Sequence, residues 1–268
     1  MEYLVPVTFA ILTWWVSTLL LMRCILRARQ RSKLVLVVMT VIALLSFVAV
    51  FVSRDWTTPL GVYLAFLSAL GLWAWHEATY FLGFVTGPRP EACPPGVSAG
   101  QRFLFGVRVS LYHELAIVLT AIAVAWVTIG SSNQTAMWVF VLLWLMRWSA
   151  KLNIFLGVRN LHQEYWPVHL QYLASYAKSA TMNPLYPVTA GLSLLAFGWL
   201  IAKAAASTSA YELTAFVLIA VLLFLALLEH AFLMYRVPDG RLWRWAVDGG
   251  KSGNLPTDDS RLRPSQGP

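Results

Sequence analysis

Long apolar stretches, each closed by a short polar break, recur near residues 4–22, 34–53, 58–86, 103–129, 136–158, 186–203 and 212–235. A helix that crosses a bilayer needs roughly 20 mostly apolar residues. Inside lipid every backbone polar group must be satisfied within the segment, which a helix achieves and an open strand does not. The pattern therefore predicts an all-α, polytopic transmembrane bundle of about seven spans. Between the fifth and sixth spans, residues 159–184 are more polar and aromatic and carry Pro167 and Pro184. That stretch is too polar to span and predicts an interfacial or re-entrant helix pair. From Pro238 to Pro268 the chain is polar and rich in Gly, Pro and Asp, the composition of a flexible tail. The expected division is a membrane domain over 1–237 and a tail over 238–268, with no internal repeat.

Composition agrees. Of the 268 residues, 59% are hydrophobic and 12% charged, against roughly 25% charged in a soluble domain. The 13 Trp and 10 Tyr suit a protein with two lipid–water interfaces. The net charge of +8 is not a nucleic-acid signal, because the basic residues flank the apolar runs. Arg54 and Lys203 fall on one side, Arg147 and Lys151 lie inside a span, and the other sixteen of the 20 Lys and Arg fall on the opposite side. Positive charge collects on the cytoplasmic face, so the N-terminus is expected outside and the C-terminus in the cytoplasm. Cys24 and Cys93 give neither a disulfide framework nor a CxxC pair. The first apolar run lacks a preceding basic residue and is followed by arginines, unlike a cleaved signal peptide.

Candidate chemistry sits in the histidines and glutamates. Four of the seven glutamates lie within two residues of a histidine: His76-Glu77, His113-Glu114, His162-Gln163-Glu164 and Glu229-His230. At roughly 1.5 Å per residue, His76, His113 and Glu229 all fall in the cytoplasmic half of the membrane, and His162, Glu164 and His169 follow the fifth span on the same face. A charge near the bilayer centre costs at least roughly 2.5–3.5 kcal/mol, so such groups pair or bind something. Arg147 and Lys151 are four residues apart on one helix face, and Arg159 extends that stripe.

Three readings follow. In the first, Glu77, Glu114 and Glu229 pair with Arg147, Lys151 and Arg159, and the histidines hydrogen-bond inside the bundle. In the second, His76, Glu77, His113, Glu114, His162, Glu164, His169, Glu229 and His230 supply a metal site, since imidazole and carboxylate together suit iron, manganese or zinc. Adjacent His-Glu residues diverge by about 100° on a helix, unlike the Glu-x-x-His of di-iron bundles, so one of each pair would ligate and the other orient it. In the third, a lone histidine is the axial ligand of a tetrapyrrole such as haem or bacteriochlorophyll. No phosphate loop, nucleophile elbow or haem-attachment motif is present.

The stretch Trp73-Ala74-Trp75-His76-Glu77, the FLGFVTGPR that follows it, Leu111-Tyr112-His113-Glu114, RWSAKLNIFLGVRN (147–160), HLQYLASY (169–176) and Met182-Asn183-Pro184 resemble the PuhE family, whose members are labelled photosynthetic complex assembly protein 2. The resemblance runs from about the second span to about residue 236. It implies a multi-pass protein of the bacterial inner membrane, in lipid contact, that assists assembly of the reaction centre and light-harvesting complex of anoxygenic phototrophs, with those subunits or their pigment as partners. An influence on bacteriochlorophyll supply is part of that expectation. The family supplies no catalytic residues, so the His/Glu set is a reading of this chain alone. The rival reading is a membrane-bound, di-iron-type enzyme acting on a tetrapyrrole or another lipophilic substrate.

Overall fold

The computed structural model describes residues 2–27, 32–161 and 166–235. They form α1 (Leu4–Arg27), α2 (Ser32–Ser53), α3 (Pro59–Phe81), α4 (Ala99–Val109), α5 (Leu111–Thr128), α6 (Thr135–Leu156), α7 (Leu185–Ala205) and α8 (Ala210–Met234), with a 3-10 helix at Val168–Tyr176. All of these except α4 and the 3-10 helix are long and apolar enough to cross a membrane, giving the seven spans of a multi-pass all-α protein. His162 and Glu164, and the tail from Pro238, lie outside the described residues.

Two boundaries differ from the apolar pattern. The stretch 103–129 is two helices, not one span. Ser110 leaves helical geometry at φ −122° and ψ 15°, so α4 is only 11 residues long, about 16 Å against a hydrocarbon core of about 30 Å. A capping box of Ser98 and Gln101 starts α4. The third span ends at Phe81 rather than 86, because Gly83 turns the chain at φ +81°. The connection that follows presses Gly87 against the carbonyls of Arg108 and Val109, where no Cβ would fit. His113 N–H then donates to Thr86 O at 3.0 Å. The loop after α3 is thus wedged into the break between α4 and α5. In 159–184, where a helix pair was expected, the described residues show the 3-10 helix, led by Pro167, and a lone parallel bridge between Val158 and Ser179.

α3 is the central helix, packed by α1, α2, α5, α6 and α8. It starts on Thr58, whose hydroxyl caps Gly61 N–H, with Pro59 at the first helical position, where its missing N–H costs nothing. Phe66, Ile117, Val124, Phe140 and Leu218 are fully buried around its first half and form the apolar core. That end of the bundle is tied by Asn133, which is 1% exposed and donates to Ser53 O at 3.0 Å and Gly61 O at 3.1 Å. An asparagine so engaged is a structural clamp. At the other end, called here the basic end, Asn160 donates to Phe232 O at 2.8 Å and Tyr235 O at 2.6 Å. Arg102 reaches from α4 to Phe155 O at 3.0 Å and Tyr176 O at 3.2 Å. These bonds hold α4, the 3-10 helix and the ends of α6 and α8 together.

Candidate functional site

Past the apolar core, toward the basic end, α3, α5, α6 and α8 turn polar residues inward. Glu77 on α3 forms an ion pair with Arg147 on α6, and Glu114 on α5 forms one with Lys151, a turn further along α6. The i, i+4 spacing places both cations on one face, so a single helix answers acids from two neighbours. Lys151 also donates to Ser110 Oγ at 3.2 Å, so the break after α4 contributes a ligand to this cation. Tyr80 lies under both, with Arg147 Cζ 5.2 Å and Lys151 Nζ 5.7 Å from its ring centroid, a cation–π arrangement.

The histidines divide. His76 and His113 are buried and face each other with ring centroids 6.1 Å apart, and Tyr80 packs on His113 at 4.6 Å. His76 Nε2 bonds Thr120 Oγ1 at 3.0 Å, and both ring nitrogens of His113 lack a partner among the described residues. His230 is held between Ala226 O at 2.8 Å and Ser149 Oγ at 3.0 Å. His169 is exposed and packs against Gly83, away from the others. Glu229 is exposed on α8 and forms no ion pair with a described residue, and Arg159 is likewise exposed without one. The structure therefore brings together His76, Glu77, His113, Glu114, Arg147 and Lys151. It sets His230 beside α6 and Glu229 within electrostatic reach of Glu77, and leaves His169 and Arg159 apart. Among the described residues no three His, Cys, Asp or Glu side chains converge as metal ligands would.

Beside the paired charges opens a cavity of about 450 Å³, within the roughly 300–1,000 Å³ typical of small-molecule sites. Phe103 and Gly106 wall it from α4, Trp148 and Phe155 from α6, and Leu170 and Tyr176 from the 3-10 helix. Ser110, Glu114, Arg147, Lys151 and Tyr80 form its polar end. The cavity exists because α4 stops short and folds back over the 3-10 helix instead of continuing as a span. Sequence reasoning found the charged residues but not Tyr80, Trp148 or Ser110, whose types are too common to stand out. The Ser98-x-x-Gln101 capping box was the one visible sign that a separate helix begins there.

A family model described as "Protein of unknown function (DUF3623)" matches residues 1–254. An "Uncharacterized 30.4 kDa protein in puhA 5'region" of Rhodobacter capsulatus is 36% identical over 249 residues, covering 91% of this chain and 90% of that protein. No solved structure matches.

Proposed function

For this chain, which belongs to the DUF3623 family, we propose the role of a membrane-embedded assembly factor for a bacterial photosynthetic apparatus, one that holds a lipophilic pigment, or a precursor of one, beside its bundle. The observation that carries the binding part is the apolar cavity with one polar end, set within a multi-pass protein. Concave, mostly apolar sites with a few convergent polar groups are where small molecules bind. The photosynthetic part rests on the relative's position in the puhA 5' region and on the PuhE-like motifs, which imply a gene near that of the reaction-centre H subunit. In this reading Glu114, Arg147 and Lys151 orient the bound molecule, and the Glu77–Arg147 pair fixes α6 against α3. The protein sits in the inner membrane with its basic end toward the cytoplasm, as the distribution of Lys and Arg supports. That places the cavity on the side where soluble precursors are made.

Deletion of the gene tests the role. Reaction-centre or antenna complexes are expected to fall under phototrophic conditions, while respiratory growth is unchanged. Normal complex levels in a clean deletion would overturn the assignment.

A further inference from the structure

The polar end of the cavity is made of charges that already cancel. Arg147 is matched by Glu77 and Lys151 by Glu114, and the third acid nearby, Glu229, acts on Glu77 and brings no further cation. A ligand that brought a further full charge into this low-dielectric place would leave one charge uncompensated, which is strongly unfavourable. The pairs also leave hydrogen-bonding capacity unused. Glu114 is 9% exposed, and while its Oε1 takes Lys151, its Oε2 has no partner among the described residues. Trp148 Nε1 and Arg147 Nε are buried and equally unmet. All three residues line the cavity. A buried polar atom without a partner carries a desolvation penalty that a ligand can relieve.

We propose that the cavity selects a neutral lipophile whose head group donates a hydrogen bond, such as a long-chain alcohol, with Glu114 Oε2 accepting and Trp148 Nε1 donating to the same head. A hydroxyl offers one donor and two acceptor positions, so it can satisfy both atoms at once. A carboxylate head has no proton to give and meets the open oxygen of Glu114 with like charge. A plain alkane fills the walls and leaves the polar end unmet. At about 30 Å³ per water-sized group, the 450 Å³ hold a body of about 15 heavy atoms, close to the size of such an alcohol, so that a larger pigment enters only in part. This inference rests on the cavity being a binding site, as the functional reading holds.

The test uses the full chain in lipid nanodiscs and a sixteen-carbon alcohol bearing a photoactivatable diazirine. Labelling is expected to concentrate on cavity residues such as Phe103 and Phe155. Unlabelled hexadecanol should compete at least tenfold better than hexadecanoate or hexadecane. Trp148→Phe removes the indole donor without changing charge and should raise the hexadecanol needed by roughly tenfold, about the worth of one hydrogen bond. Gly106→Leu enters the cavity from α4, where the first added carbon meets Tyr176 Cδ1 at an ordinary 3.7 Å, and should abolish the focused labelling. Hexadecanoate competing as well as hexadecanol would overturn the ligand class and leave the cavity reading standing. Labelling spread evenly over the lipid-facing helices, together with full rescue of a deletion strain by Gly106→Leu, would overturn both.

Discussion

Arg147 and Lys151 show how much a single helical turn can organise. Their spacing, together with Glu77 and Glu114 at similar depth, made the two ion pairs legible from sequence. The spacing did not reveal which acid each cation would take, because that depends on how α3 and α5 are rotated. Arg159, two turns further on, was expected to extend the stripe, but α6 ends at Leu156 and its side chain reaches solvent-exposed space. Arg147→Ala would leave Glu77 buried and unpaired, at a cost of about 3–5 kcal/mol. The protein should be depleted from membranes and melt lower. Removing both charges with Glu77→Gln and Arg147→Met should recover most of that loss, since a neutral pair strands nothing. Lys151→Ala should cost about as much as Arg147→Ala, because the acid it leaves behind, Glu114, keeps only 11% exposure against 14% for Glu77 and is no better screened. Melting curves of the three variants check these outcomes, and equal losses for Arg147→Ala and the double variant would refute them.

At the scale of elements, apolar length located every span, since length is the one property lipid demands of a helix. What it could not reveal was the break at Ser110. The sequence FLFGVRV before it is as apolar as a span, so hydropathy runs straight through. The break is made by tertiary contact, with Gly87 against the carbonyls of Arg108 and Val109. Gly87→Ala would drive a methyl group into that backbone and should destabilise by roughly 1–3 kcal/mol while shifting α4. Gly100→Ala in α4 is the control. A Cβ there meets nothing within 4 Å, and alanine is the better helix former, so it should be neutral or mildly stabilising. Thermal melts of both variants decide the matter. A harmless Gly87→Ala would mean the loop is not wedged at the break. The 3-10 helix was expected only as helix of some kind, because its geometry follows from Pro167 and the contact with α4 rather than from any period in its own residues.

For the whole molecule, the sorting of Lys and Arg predicts an orientation that packing alone leaves open. Cysteines introduced at Ser98 and Ser131 sit at opposite ends of the bundle. A membrane-impermeant thiol reagent applied to intact cells should modify Ser131→Cys and spare Ser98→Cys, in a chain whose own two cysteines are replaced. External labelling at residue 98 would reverse the assignment. At this scale span number was legible in the sequence, because it is summed over many residues and tolerates local errors. It was least informative about the cavity, which is a space between elements and has no residues of its own.

That space bears on the protein once it leaves its bilayer. Maltoside and glucoside detergents are alkyl chains with hydroxyl-rich, uncharged heads, the same chemistry that the polar end of the cavity favours. At the millimolar concentrations used for solubilisation they compete for the cavity by mass action and, by filling it, stabilise the folded chain. Extraction in such detergents should therefore exchange the native occupant for detergent. Excision in a polymer-bounded lipid disc should carry that occupant along.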